Sequence, residues 1–489
     1  MTQILSIDQG TSSSRAIVFD DCGDIHAVEQ EELSLSYPQS GWVEQNPQEL
    51  VDNTIKAVQK VLKDERFNSV AGIGISNQRE TTIVWERKNG KPIYNAIVWQ
   101  DRRTAKLCEE LKRDGLEDEI CIKTGLLLDP YFSATKIKWI LDHVDGAKEK
   151  AENGELCFGT VDSYVLWHLT GGKAHLTDST NASRTMLYNI HSCEWDRDLL
   201  KIFGIPLSMM PEVRDNISEF GQIDSDVFGR SLTIGGMAGD QQSAMIGQGC
   251  IESGMIKSTY GTGCFALIHT GSDAVRSSNR LLTTIASSIC GKVEYALEGS
   301  IFNAGTAVQF LRDNFGFFES AKETEAMAKS LEGNGGVYFV PSFTGLGAPH
   351  WKPEAKGLIY GLSRDTSKAH IARAALEAQA YQTRDLLSAM EKDSGQKTAV
   401  LRADGGLVAN DFMCQFLSDI LQITIEVPRV SESTAWGAAC LAGVQCGVFE
   451  NVRDAAAKWQ LDRRYDPVQA QVDVDNLYSA WKGIVEKTF

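Results

Sequence analysis

The stretch that decides the fold is "SIDQGTSSSRAIVFD", residues 6–20. An apolar run ends on Asp8, a turn follows with Gly10, Thr11, Ser12 and Ser13, and Arg15 precedes a second apolar run. The pattern reads as two strands, 2–7 and 15–20, joined by a Gly/Ser/Thr turn. Such a turn needs Gly10 but none of the other polar residues. Phosphate is held by backbone N–H groups in a glycine turn, by hydroxyl donors and by a cation, while a carboxylate holds the metal that neutralises the rest. Asp8 is therefore the candidate Mg²⁺ anchor, acting through water. Thr11, Ser12 and Ser13 are candidate donors to phosphoryl oxygens, and Arg15 is the candidate cation. Read alone, the loop fits a solvated hairpin equally well.

The second half repeats the theme. "GMIKSTYGTGCFALIHT" (254–270) is again strand, Gly-Thr turn, strand, and "TAVLRADGGLVANDFMCQFLSDIL" (398–421) is strand, glycine loop, amphipathic helix. Gly261, Gly263 and Ala266 match the dinucleotide spacing GxGxxA, but that fingerprint requires a helix to follow at once, and "CFALIHT" continues as strand. Gly261 and Thr262 are thus taken as a second phosphate-facing hairpin. The chain has neither a Walker A sequence nor a GxSxG elbow. In "RADGGLVAN" (402–410) and "NAGTAVQFL" (303–311), Gly406 with Asn410, and Gly305 with Gln309, suit a flat ring against backbone and an amide partner. Close helix packing and an N-cap explain the same residues.

At 489 residues the chain exceeds what one hydrophobic core serves, so two domains are expected. "GQGCIESG" interrupts the apolar pattern near 245–253 and divides it into 1–247 and 248–489. The duplication predicts one shared cleft in an α/β protein. A net charge of −17, with no Lys/Arg-rich block, argues against nucleic acid or an anionic membrane as partner. Anionic ligands must then be met by a metal, a few cations or backbone N–H groups. Eleven scattered cysteines without zinc spacing fit reduced thiols in a cytosol. No apolar run approaches the ~20 residues of a membrane span and no leader pattern opens the sequence, so a cytoplasmic location is expected.

Elsewhere, Asn46, Pro47 and Glu49 mark the start of a helix over 47–63 with a buried stripe of Leu50, Val51, Ile55, Val58, Val61 and Leu62. "VAGIGIS" (70–76) reads as a buried strand, and "TTIVWERKNGKPIYNAIVW" as a hairpin turning at Asn89-Gly90. "SNQRETT" (76–82) crowds Arg79 and Glu80 at a strand end. Its apolar flanks predict a buried edge, which suits polyol binding better than a surface ion pair. In "GGMAGDQQSA" (235–244) small residues surround Asp240, with Gln241 beside it. A lone carboxylate near phosphate can accept a proton from an attacking hydroxyl; a helix N-cap is the plainer reading.

Taken together these residues resemble the FGGY carbohydrate kinase family, within the superfamily of actin, hexokinase and Hsp70 ATPases. The likeness runs from Ile4 to about Gly443 and includes "YFSATKIKWILDH" (131–143) and "GLIYGLSRDTSKAHIARAALE" (357–377), which are similar to the family's two signature segments. "DQGTSSSR", "NQRETT", "NAIVWQDRR", "GDQQSA", "YGTGCF" and "DGGLVAN" are similar to the members that phosphorylate glycerol. The resemblance implies two RNase H-like (actin-like ATPase) domains with the active site in the cleft between them, and transfer of phosphate from ATP to give sn-glycerol 3-phosphate. It implies that Arg79, Glu80, Tyr131, Asp240 and Gln241 bind the glycerol hydroxyls, with Asp240 as general base. Trp99 and Phe265 would wall the carbon chain. Asp8 would organise Mg²⁺; Thr11, Ser12, Ser13, Arg15, Gly261 and Thr262 would meet the phosphates; and Gly305, Gln309, Gly406 and Asn410 would hold the adenosine end. A homo-oligomer, dimer or tetramer, is implied as well. The arginine-bearing glycine loop that many such members carry before the "GDQQ" segment, and through which fructose 1,6-bisphosphate inhibits them, is missing from "SEFGQIDSDVFGRSLTIGGMAGDQQ". A pentulose or tetritol kinase of the same family, and an ATPase that controls assembly or client binding, are the competing readings.

Overall fold

The computed structural model describes residues 2–352 and 354–488. In the first half, strands β1 (Gln3–Gln9), β2 (Ser13–Asp20) and β3 (Ile25–Glu32) form an antiparallel meander. Helix α1 (Pro47–Leu62) leads to β4 (Val70–Asn77), and after a long insertion come β5 (Ile217–Gln222), β6 (Thr233–Gly239) and helix α2 (Asp240–Gly247). They make a six-stranded sheet in the order β5-β6-β4-β1-β2-β3, with β1, β4 and β6 parallel.

The second half repeats this plan with β7 (Ile256–Tyr260), β8 (Cys264–Gly271), β9 (Leu282–Ile289) and β10 (Lys292–Ile301). Helix α3 (Gly305–Asp313) and the long helix α4 (Lys368–Ser394) precede β11 (Val400–Asp404), helix α5 (Asp411–Leu421), β12 (Thr424–Pro428), helix α6 (Ser433–Gln445) and β13 (Leu461–Tyr465). The seven-stranded order is β9-β10-β8-β7-β11-β12-β13, with β7, β11 and β12 parallel. In both sheets the first strand thus lies between its antiparallel hairpin partner and a parallel strand that enters after a helix.

The halves exchange helices. Helix α2 leaves the first sheet and buries Met245 with Leu267, Ala286 and Ala296 of β8, β9 and β10. Helix α6 leaves the second sheet and buries Trp436, Ala439 and Cys440 with Ile4, Ile17 and Phe19 of the first. Glycine makes this crossing possible: a Cβ on Gly437 would stand 1.8 Å from the Ser243 carbonyl oxygen, and one on Gly74 would stand 2.0 Å from that of Ala438. Both distances are far inside van der Waals contact.

Helix α1 follows its sequence signals, with Asn46 accepting from the Gln48 N–H at 3.0 Å and Pro47 in its first turn. Two details differ. Glu49 turns away to accept from Ser34, and Thr54 takes the buried place expected of Ile55 because its hydroxyl reaches Gln9 at 2.8 Å. The first two strands extend to 9 and back to 13, which places Asp8 inside β1 rather than at its end. The expected hairpin at Asn89-Gly90 does turn there, with the Glu86 N–H bonded to the Lys91 carbonyl. Its first arm, Ile83–Glu86, is laddered to Leu156–Gly159, and its far end, Ala96–Ile97, to Glu44–Gln45. Burial of Trp85 and Val84 on both faces needs a longer partner than the return arm supplies. The described cysteines are free, and no described helix is long and apolar enough to cross a membrane.

Candidate active site

In open parallel sheets, ligands bind beyond the carboxyl ends of the strands. In the first sheet Asp8 pairs in register with Ser76, Gln9 with Asn77, and Gly239 with Asn77, so Asp8, next to last in β1, stands beside Gln78–Glu80 and Asp240, which follow the ends of β4 and β6. In the second, Thr259 pairs with Asp404, and the turn 261–263 continues from β7.

Arg79 and Glu80 are buried, at 3% and 1% exposure, as their apolar flanks predicted. Glu80 has φ 61°, a left-handed backbone that is strained for a non-glycine residue. Its carbonyl is pinned by the hydroxyls of Ser133 at 3.1 Å and Thr82 at 3.0 Å. From there an alternating chain of charges runs across the cleft. Glu80 accepts from Arg184 Nε at 2.6 Å, and Arg184 Nη2 donates to Glu298 at 2.9 Å. Glu298 accepts from both terminal nitrogens of Arg79 at 2.6 and 3.2 Å, and Arg79 Nε lies 3.0 Å from Asp240 Oδ1. Burial alone would push Glu298 up, but Arg184 and Arg79 outweigh it and hold its carboxyl near about 2. For Glu80 burial wins over the same two arginines and raises it. Arg184 and Glu298 escaped sequence reasoning; their signal was a single charge in the small and apolar runs "NASRTMLY" and "YALEGSIF".

Asp240 opens α2, with Gly239 rather than Asp240 at the N-cap, so its carboxylate is free of capping duty. Oδ1 accepts from the Gln241 N–H at 2.7 Å, and Oδ2 lies 3.3 Å from Gln241 Nε2. Beneath it, the Gly239 N–H donates to Thr180 Oγ1 at 2.9 Å, and Asp178 gathers Thr180, Asn181 and Asn216. Burial, then the neighbouring Asp162, pushes Asp178 up to about 7. Three rings stand over this floor: Trp99 meets Tyr131 edge-on at 5.7 Å and Phe265 at 6.3 Å. Trp99 is fixed by its ring N–H to Thr11 Oγ1 at 3.0 Å, which ties the aromatic wall to the first turn. Tyr131 is set by the turn before helix 133–143, its carbonyl held by Lys136 Nζ at 2.6 Å.

On the nucleotide side, Ser12 of the first turn and Gly261 and Thr262 of the second are exposed, while Thr11 and Ser13 are half-buried. Arg15 stands opposite Asp8 in the β1–β2 register, bonds to it, and also pairs with Glu432 Oε2 at 2.7 Å. Burial raises Asp8 despite Arg15. Glu432 was not foreseen: it lies more than 400 residues away and is delivered by the crossing of α6. The Gly305 N–H bonds to the Gly261 carbonyl at 2.9 Å, so the start of α3 braces the second turn, and Gln309 is exposed on that helix. Gly405, at φ 90°, makes the close approach to Tyr260, which leaves Gly406 open. Asn410 caps α5 through Met413 N–H at 3.0 Å and donates to Thr324 at 3.1 Å.

The donor chemistry fits Mg²⁺ at Asp8, a hard carboxylate with one oxygen engaged by Arg15. Among the described residues the tight group of three metal-capable side chains is Asp20, Asp21 and Cys22, away from these strand ends. A metal in the cleft would therefore take its remaining ligands from water and the nucleotide.

A cleft between two duplicated α/β halves, with hydroxyl and glycine turns on both lips and a charged, aromatic-walled floor, is that of a phosphotransferase with the actin-like ATPase fold. The family model for the N-terminal domain of the FGGY carbohydrate kinases matches residues 3–247, and that for the C-terminal domain matches 256–446. The chain belongs to the FGGY family of carbohydrate kinases. It is 56% identical over 485 residues to a glycerol kinase of Nitrosomonas eutropha, covering 99% of this chain and 97% of that one. It is 54% identical to a glycerol kinase of Petrotoga mobilis, covering 99% and 98%. A crystal structure of Plasmodium falciparum glycerol kinase with ADP superposes with a TM-score of 0.95 at 37% identity, covering 100% and 98%. A ligand-bound xylulose kinase from Lactobacillus acidophilus, at TM-score 0.90 and 22% identity, shares the fold.

Proposed function

We propose that the protein transfers the γ-phosphoryl group of ATP to a terminal hydroxyl of glycerol, giving sn-glycerol 3-phosphate. The observation that carries this reading is the convergence of Arg79, Glu80, Asp240 and Gln241 beneath Trp99, Tyr131 and Phe265, across from two hydroxyl-bearing turns. Charged hydrogen-bonding groups on one side and aromatic edges on the other suit a short polyol, whose hydroxyls and carbons face opposite ways. Full-length likeness to glycerol kinases at 54–56% identity supports the same substrate.

In the mechanism, Arg79, Glu80, Tyr131 and Gln241 hold the hydroxyls and Asp240 faces the one that reacts. A lone pair of that oxygen forms the new bond to the γ-phosphorus as the bond to the β,γ-bridging oxygen breaks, its electron pair leaving on ADP. The hydroxyl proton passes to the Asp240 carboxylate. Thr11, Ser12, Ser13 and Thr262 give hydroxyl donors and Gly261 a backbone donor to the phosphates, with Arg15 as a charge beside them. Gly305, Gln309, Gly406 and Asn410 line the adenosine end. Mg²⁺ bound at Asp8 would supply charge neutralisation of the polyphosphate. Closure of the halves excludes water that would otherwise take the phosphoryl group.

The deciding experiment is ADP formation by the purified chain with a panel of polyols. Glycerol-stimulated ADP release with one sn-glycerol 3-phosphate per ADP is expected. A higher kcat/KM for xylulose or a tetritol would replace the substrate, and ATP turnover without any phosphorylated small molecule would remove the reading altogether.

A further inference from the structure

Three arginines at the floor of the cleft are neutralised by carboxylates. Arg15 pairs with Asp8 and Glu432, Arg79 with Glu298 and Asp240, and Arg184 with Glu80 and Glu298. Lys257, the second residue of β7, is different. Its residue is fully buried, and its Nζ donates to two neutral oxygens, Oε1 of Gln241 and Oγ1 of Thr259, the latter at 3.1 Å. Among the described residues no carboxylate oxygen lies within the 4.0 Å of an ion pair with it. The charges that act on it from a greater distance are Asp404 and Asp240, then Arg79 and Glu298; burial outweighs them and lowers the ammonium from its usual value.

Taking an ammonium out of water costs several kcal/mol, and neutral acceptors return only part of that. An ammonium has three donors, and two are used here. The lysine's position gives the third a purpose. Its strand runs directly into the turn at Gly261 and Thr262, and its partner Gln241 follows Asp240, so it stands between the hydroxyl-activating carboxylate and the second phosphate turn.

We propose that Lys257 is a catalytic residue of the transfer, whose third N–H meets a non-bridging oxygen of the phosphoryl group as it passes between nucleotide and polyol. The inference rests on the reading of the cleft given above. The bonds made and broken are those already described, and the hydroxyl proton still goes to Asp240. Lys257 keeps its protons throughout and supplies fixed positive charge where equatorial oxygens gather negative charge. Gln241 and Thr259 hold the ammonium in place. In return, Lys257 turns the Gln241 amide so that its NH₂ faces Asp240.

The test uses the full-length chain with Lys257→Met and Lys257→Arg, and with Lys257→Gln should the methionine variant fail to fold. Turnover with MgATP and glycerol is measured beside calorimetric affinities for glycerol and for MgADP. The neutral variants should lose turnover by about 10²-fold or more, the size typical of removing a donor to developing charge, with both affinities within about threefold. Lys257→Arg should regain at least about tenfold of that loss. Turnover of the neutral variants close to the parent's would overturn the proposal. So would a loss of glycerol affinity as large as the loss of turnover, since Lys257 would then only support Gln241. Failure of the substrate reading looks different: the parent chain itself would favour another polyol, and the same variants on that polyol would decide Lys257.

Discussion

The two sheets bring the ends of their central parallel strands to one cleft, yet they equip those ends differently. The first half presents Asp8, Arg79, Glu80 and Asp240, and pairs each with an opposite charge. The second presents mainly backbone: an exposed glycine turn at 261–263, the start of α3 braced against it, and the open Gly406. Its charged contributions include Glu298 and Glu432, which serve the arginines of the first half, and Lys257, which among the described residues has no carboxylate within ion-pair distance. One topology, used twice, thus fixes where a ligand can sit. Side chains then make one lip a mesh of paired charges and the other a row of backbone groups, the contrast that the proposed transfer from nucleotide to polyol would use.

Five substitutions probe this contrast in turn. Asp240→Asn removes the proposed proton acceptor while keeping the shape, and turnover should fall by at least ~10²-fold with both substrates still bound, as measured by steady-state kinetics and calorimetry. Near-normal turnover would take Asp240 out of that role. Glu298→Gln strips the shared partner from two buried arginines, for an expected loss of about 3–5 kcal/mol in denaturant unfolding and a weaker affinity for glycerol. An unchanged midpoint would mean that Arg79 and Arg184 find other acceptors.

Gly437→Ala tests the helix exchange. Its Cβ would meet backbone at 1.8 Å, so about 1–3 kcal/mol should be lost, whereas Gly483→Ala, with nothing within 4 Å in an exposed turn of the last helix, should gain about 0.5–1 kcal/mol. Equal effects at both sites would refute the crossing as a point of contact.

The smallest effect concerns pH. Burial pushes the Asp178 carboxyl from its usual 3.8 up to about 7, so the folded state favours its protonated form. That contribution is whole below the unfolded value and is lost as pH rises through 7. Glu298 acts in the opposite sense: its contribution is present above 4.5 and is lost as pH falls through about 2. Between pH 5 and 8 the melting temperature should therefore carry a downward slope from Asp178, which Asp178→Asn flattens. An identical slope in the variant would assign it to other groups.

Strand and helix periods, the paired glycine turns and the capped start of α1 were all readable along the chain, because each depends on residues within a few positions of one another. Arg79 and Glu80 announced their burial through apolar neighbours. By contrast, Arg184, Glu298 and Glu432 gave only a lone charge in a small or apolar run. The left-handed backbone of Glu80 and the pairing of Arg15 with Glu432 left no local mark. The expected hairpin at Asn89-Gly90 keeps its return arm, bridged at Trp85–Pro92 and Thr82–Ile97, but the distant strands that each arm also pairs with left no local mark.

By itself, then, the sequence determined the duplicated α/β plan and the family, and it singled out the strand-end turns and charged residues that the structure brings to one cleft. The tertiary structure decided which charges meet. Helix α6 carries Glu432 to Arg15, β10 carries Glu298 between two arginines, and β7 sets Lys257 behind Gln241. The physical reason is range. Backbone propensity and capping act over a few residues, whereas a buried charge needs counter-charges or polar acceptors that folding brings from any distance along the chain.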